Sequence, residues 1–148
     1  MPVVSFAQYR GSNWAIADSI LIHFAPSKNS VSNSVLNTDE PMATISDESG
    51  KLLFYTNGGL VWNSNNDTML NGTGLPTNYS STNGVLIIPY PEHDSLYYIF
   101  TLGNQPDYSI VNMNLDAGKG AITKKNIPLI NLLNQKKNYK SSPNISSV

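Results

Sequence analysis

The chain of 148 residues contains no cysteine, which excludes a disulfide scaffold, a zinc ribbon, a thiol redox centre and a cysteine nucleophile. The compartment is left open by this absence. Charge is also scarce, at 13% of residues with a formal net charge of −1, against about 25% charged residues in an average domain. No bulk field is available to hold nucleic acid or an anionic membrane surface. Apolar runs fall well short of the roughly 20 residues that a spanning helix needs, so neither nucleic acid nor membrane insertion is expected. What the chain has in quantity is small and uncharged: 19 Asn and 18 Ser make up a quarter of it. Its length suits one core of ordinary size.

These polar residues act as punctuation. Asn, Ser, Gly and Pro favour turns because they tolerate positive φ, bond to their own backbone or pre-set φ. They cluster at 27–33, 47–50, 57–59, 63–67, 71–77, 80–84, 89–94 and 103–107. Between them lie short runs rich in Val, Ile, Tyr, Phe and Leu, at 14–17, 20–24, 42–45, 52–56, 60–62, 85–88, 96–102 and 108–113. Strands separated by turn chemistry at this spacing read as an all-β sandwich, barrel or propeller. Helical spacing occurs only at Ile127 to Leu133, where Pro128, Asn131 and Asn134 weaken it.

An internal repeat points to the propeller. Ile45 to Gly58 lies over Ile88 to Gly103, with Thr56 falling on Thr101, 45 positions on. In each copy a strand enters an acidic turn, leaves as an aromatic strand ending in Thr, meets a Gly and continues into a further strand. That is the strand order of a four-stranded blade of roughly 40 to 50 residues. The chain then holds about three blades, whereas closed propellers use roughly four to eight. The expectation is an unclosed partial propeller of antiparallel blades over residues 8–135, whose open edges pair with remaining blades of the same protein or with another copy.

The two ends read differently. Residues 1–7 resemble the end of a signal peptide, with Ser5 and Ala7 as the small residues that signal peptidase accepts after Val3 and Val4. The mature chain would begin at Gln8 and be exported. Residues 136–148 read as a disordered or truncated tail rich in Ser, Asn and Lys. All ten acidic residues lie at or before Asp116, and six lysines follow it. No aromatic platform interleaves with those lysines as single-strand binders require.

Candidate chemistry is sparse. His23 alternates with Ile22 and Phe24 in an apolar strand, and Glu92, His93 and Asp94 are adjacent in a turn, too few to converge as a metal site. Asn63-Ser64-Asn65-Asn66-Asp67 alternates oxygen ligands like a calcium loop but lacks its glycine and bidentate glutamate. Asn71-Gly72-Thr73-Gly74 lacks the lysine and helix of a phosphate cradle. No cofactor is expected. A pair of carboxylates for glycoside hydrolysis would come from Asp39, Glu40, Asp47, Asp67, Asp94 or Asp107, and nothing in the spacing selects two. No Gly-x-Ser-x-Gly supports a serine triad. Ser46-Asp47-Glu48-Ser49-Gly50 is instead a folding device: Asp47 accepts backbone N–H bonds across the turn and Gly50 takes positive φ. No catalytic residue is assigned.

The ordered strings Leu36 to Glu40, Ala43 to Asp47, Gly50 to Gly58, Val61 to Asn63, Met69 to Leu75, Ser80 to Thr82 and Tyr97 to Thr101 together resemble a known group. They are similar to the N-terminal propeller-like region of large secreted Bacteroidota proteins, described as gliding-motility-associated or as bearing type IX secretion sorting domains. The resemblance runs from about Asn13 to Asn126 and departs at Pro41-Met42, where Gly-Cys is expected. It implies secretion or cell-surface display, a β-propeller, adhesive modules and no catalytic residues to transfer. It also implies use of the O-glycosylation triplets Asp18-Ser19-Ile20, Asp67-Thr68-Met69 and Asp94-Ser95-Leu96, with Ser19, Thr68 and Ser95 as acceptors. The expected function is a non-enzymatic surface adhesion or interaction module for an unidentified polysaccharide or protein. A secreted propeller-type glycan hydrolase and a purely structural spacer are the alternatives.

Overall fold

A computed structural model describes residues 9–129. The signal-peptide end at 1–7 and the tail at 136–148 lie outside the described residues. The architecture is all-β. A small antiparallel sheet holds β1 (Asn13–Ile16), β2 (Ile20–His23) and β3 (Ser30–Asn33). Two four-stranded meanders follow. The first comprises β4 (Ala43–Ser46), β5 (Leu52–Thr56), β6 (Leu60–Asn63) and β7 (Thr68–Thr73). The second comprises β8 (Val85–Pro89), β9 (Leu96–Leu102), β10 (Pro106–Asn112) and β11 (Ala121–Pro128).

The meanders join edge to edge, giving one sheet of order β4-β5-β6-β7-β11-β10-β9-β8. The joint is a parallel pairing of β7 with β11 at Leu70 and Ala121. Side chains reinforce it, since Lys125 Nζ donates to the Asn71 and Thr73 carbonyls at 3.0 and 2.9 Å. Asn71 Nδ2 donates to Ile122 O at 3.2 Å, and Asn126 Nδ2 to Gly74 O at 3.0 Å. At the other edge β4 lies against β8 without a hydrogen-bonded ladder. The eight strands therefore form a nearly closed barrel-like sheet.

Each meander runs strand, turn, aromatic strand, turn and further strand, as β4-β5-β6 and β8-β9-β10. Their packing differs from a fan of blades. Ile45, Phe54, Val61 and Met69 of the first meander share one core with Val85, Ile87, Ile99 and Val111 of the second. Phe54 and Ile99, which the expected repeat sets at the same place, both face this core. Rotation about a propeller axis would instead set the leading face of one blade on the trailing face of the next. Three radial blades are not what the described residues show. Along β8 and β9 the buried residues recur every second position, Val85 and Ile87, then Tyr97, Ile99 and Thr101, as a barrel interior requires. Each fully buried aromatic or branched aliphatic among them stabilises the fold by about 1.5 to 3 kcal/mol.

The small sheet covers the outside of the first meander. Ala15 and Leu36 pack on Tyr55 and Trp62, whose rings stack with centroids 5.6 Å apart. Both faces of β5 are thus buried, which explains its unbroken apolar run Leu52-Leu53-Phe54-Tyr55. Two strands fall on expected turn clusters and a third on a segment with no expected strand. β3 lies within 27–33, β7 overlaps 71–77, and β11 carries Ile127 and Pro128 as strand where a helix was weighed. The rest of that helical segment, from Ile130 onward, lies outside the described residues.

Candidate acidic cleft

Because β4 and β8 run side by side in the same direction, their following turns emerge at the same end of the barrel. This brings the acidic turn of the first copy beside the turn at Pro91 to Asp94. A cleft of about 330 Å³ opens there, lined by Arg10, Asp47, Glu48, Ser49, Asp94 and Tyr97.

Asp47 serves its own turn. Its Oδ1 accepts from Ser49 N at 2.9 Å, Ser49 Oγ at 2.6 Å and Lys51 N at 3.0 Å, while Gly50 takes φ +88°. Partial burial works to raise the carboxyl pKa, but the bonds from Ser49 and Lys51 outweigh it and hold the group below its ordinary value.

Arg10 bridges the two meanders. Its backbone carbonyl accepts from Ser46 N at 2.9 Å, which anchors the segment before β1 beside the edge of β4. The guanidinium pairs with Glu48 Oε1 at 2.8 Å and donates to the Tyr97 hydroxyl at 3.3 Å. Burial opposes the cation, yet Tyr97 and Glu48 more than offset it, and the pKa rises. Tyr97, almost wholly buried, in turn donates to Asp94 O at 3.3 Å. Sequence reasoning passed over both residues. The signal for Arg10 was available, since it is the only arginine in a chain poor in charge.

The other candidate residues are dispersed. Asp39 and Glu40 line a smaller cleft of about 250 Å³ at the opposite end of the barrel, where Thr82 Oγ1 donates to Glu40 Oε2 at 3.3 Å. Asp67 pairs with Lys119 at 3.3 Å. Asp107 is buried and accepts from Gln105 Nε2 at 3.3 Å. Asn63 Oδ1 accepts from Asn65 N at 2.9 Å and Asp67 N at 3.2 Å, and Asn66 Oδ1 accepts from the Tyr55 hydroxyl at 2.6 Å. The loop at 63–67 therefore spends amide oxygens on its own folding. His23 Nδ1 lies 3.0 Å from Asn13 Oδ1, and Asn13 Nδ2 donates to Ser46 Oγ and Gly50 O. His93 sits edge to face against Tyr90, centroids 5.2 Å apart. Among the described residues no three His, Asp or Glu side chains converge as metal ligands.

Of the glycosylation triplets, Thr68 is exposed at the start of β7 and Ser95 is half-buried, its Oγ accepting from Asn114 Nδ2 at 3.0 Å. Ser19 is half-buried in the β1–β2 turn with φ +62° and donates from its Oγ to Leu36 O at 3.4 Å. No helix of the described residues is long and apolar enough to cross a membrane.

No family model matches this chain, and neither does a curated protein or a solved structure. Chemically, the cleft offers carboxylates and one anchored guanidinium at an open surface. Glycoside hydrolysis needs a carboxyl held protonated beside an ionised one. Asp47 is displaced in the other direction.

Proposed function

We propose that this chain is an exported, non-enzymatic interaction module of the cell surface, and that it binds a polysaccharide or protein through the turns gathered at the acidic end. The observation that carries the reading is the commitment of the cleft's side chains to one another. Asp47 closes its own turn, Glu48 neutralises Arg10, and the Tyr97 hydroxyl accepts from the guanidinium. Such a polar and open surface suits recognition by exposed loops on a scaffold. The resemblance to secreted gliding-associated proteins supports export. On the same proposal each meander is a blade-type unit in strand order, of the kind a longer propeller-like protein repeats.

A glycan hydrolase is the second reading, favoured by one observation: Asp47, Glu48 and Asp94 line the same cleft. The two are separated by presenting the purified chain to a glycan array and to whole cells, with reducing-end release measured on every polymer retained. Saturable binding without sugar release, weakened at least about tenfold by Arg10→Ala, is the expected result; each tenfold is about 1.4 kcal/mol. Release of reducing ends that disappears in Asp94→Asn establishes the hydrolase instead. Absence of binding to any polymer or cell surface leaves a structural spacer.

A further inference from the structure

Between β7 and β8 the chain runs from Gly74 to Gly84 without a charged side chain. The stretch is built mostly of Thr, Asn, Ser, Pro and Gly, which bond to their own backbone or hold tight turns. Backbone bonds fix it in place. Leu75 N donates to Gly59 O at 3.2 Å, Asn78 N to Leu102 O at 2.9 Å, and Leu102 N to Gly84 O at 2.9 Å. The loop is thereby tied at its start, middle and end to the β5–β6 turn and to the last residue of β9. Because β7 and β9 both run away from the acidic turns, this loop and the turn after β9 emerge together at the opposite end of the barrel.

A cleft of about 520 Å³ opens between them, walled by Pro76 to Ser80 on one side and Gly103 and Asn104 on the other. Its volume falls within the roughly 300 to 1,000 Å³ of small-molecule sites. The walls meet closely at two glycines. A Cβ on Gly103 would lie 3.0 Å from Pro76 Cβ, and one on Gly59 would collide with the Tyr79 hydroxyl. Tyr79 thus seats its hydroxyl end on a glycine while the residue stays 55% exposed. Asn78 Oδ1 accepts from Ser80 N at 3.1 Å, which orients the amide. Among the described residues no hydrogen bond uses Asn78 Nδ2, the Ser80 hydroxyl or the Asn104 side chain, and all three residues are exposed.

The lining therefore offers an aromatic ring, two amides and a hydroxyl, with no charged residue among them. An ionic ligand would find no partner of opposite sign here. A pyranose matches the set: its hydroxyls donate and accept, as amides and hydroxyls do, and its C–H face suits the negative face of an aromatic ring. We propose that this cleft is a binding site for neutral saccharides, with Tyr79 lying along one face of the sugar and Asn78, Ser80 and Asn104 exchanging hydrogen bonds with its hydroxyls. The site shares no residue with the acidic cleft, so either can fail without the other.

The test is amide chemical-shift mapping on the 148-residue chain, titrated to millimolar concentration with cellotriose, maltotriose and mannotriose, and with trigalacturonic acid as the charged probe. At least one neutral trisaccharide is expected to shift the amides of Asn78, Tyr79, Ser80, Gly103 and Asn104 saturably. The affinity is expected to be the same at low and high salt, since no charges pair across the contact. Tyr79→Ala and Asn104→Ala are each expected to weaken that sugar at least about tenfold, and Tyr79→Phe, which keeps the ring, to retain most of the affinity. Asn104 lies in an exposed turn, so its variant decides the matter should circular dichroism show Tyr79→Ala misfolded. Absence of shifts at these amides with every neutral sugar overturns the proposal, as does binding undiminished in both alanine variants. A response to trigalacturonic acid alone, lost at high salt, overturns it as well. Shifts confined to Arg10, Glu48 and Asp94 also overturn it, and locate sugar recognition at the acidic end instead.

Discussion

Thr56 and Thr101 hold the same place in the two meanders, and both are buried, yet among the described residues only Thr56 of the two has hydrogen-bond partners for its hydroxyl. Its Oγ1 donates to Leu60 O at 2.6 Å and accepts from Gly58 N at 2.9 Å. The cause is loop length. Thr56 pairs with Val61 across a tight turn, whereas Thr101 pairs with Asp107 across a connection one residue longer. The backbone groups that would reach its hydroxyl are carried away.

The first prediction follows from that asymmetry. Thr56→Val strands the groups it serves and is expected to destabilise by about 1 to 3 kcal/mol, while Thr101→Val removes an unpaired hydroxyl and is expected to be neutral or stabilising. Urea midpoints of the two variants check this. Equal losses would contradict the hydrogen-bond assignment.

Asp47 gives a pH prediction. Its folded pKa is depressed below the ordinary value of 3.8. The folded state therefore binds the proton less readily than the unfolded one, and the stability from Asp47 is fully present above the unfolded value. It is lost as pH falls from there through the folded value. Asp47→Asn is expected to cost about 1 kcal/mol near neutral pH, by weakening bonds to a charged acceptor. The gap to wild type should narrow below pH of about 4, where the unfolded carboxyl takes up its proton. Thermal melts across that range decide it, and a gap independent of pH would show that the charge plays no part.

Lys125 gives a prediction about the β7–β11 seam, which has one backbone pairing and several side-chain bonds. Replacing its ammonium in Lys125→Met is expected to cost about 1 kcal/mol. The loss should be local: amide exchange should quicken in β7 and β11 before the rest of the sheet. Uniform acceleration across all strands would show that the seam opens only with global unfolding.

Tyr55 links the small sheet to the barrel through its hydroxyl, which accepts from Val35 N at 3.1 Å and donates to Asn66 Oδ1 at 2.6 Å. Burial raises its pKa, and the Val35 N–H opposes that rise. Tyr55→Phe keeps the ring over Trp62 and is expected to cost about 1 to 2 kcal/mol, with the Val35 amide left unpaired. Amide exchange at Val35 is the direct readout. Unchanged protection there would place the anchoring elsewhere, in Ala15 and Leu36.

Much of the local structure was legible in the chain itself. Short apolar runs between Asn, Gly and Ser clusters place most of the strands. Asp47 and Gly50 announce their turn. These are short-range signals, carried by β-branched and aromatic side chains and by φ preferences within a few residues. β3, β7 and β11 escaped because their polar residues, such as Ser30, Asn71 and Lys124, read as turn or tail chemistry, and backbone pairing imposes no apolar pattern on an edge or a seam.

Tertiary structure decided which faces meet. Phe54 and Tyr55 are both apolar, so nothing local says which of them points into the barrel and which lies under Leu36. The answer depends on strand edges distant in sequence, β7 with β11 and β4 against β8, whose contacts are fixed by the volume of the shared interior and by the unpaired backbone groups along each edge. The same closure brought Arg10, Glu48 and Tyr97 together and left Phe100 and Tyr108 facing out. Sequence alone established an all-β chain; packing at long range joined its two meanders into a nearly closed barrel-like sheet with one acidic end.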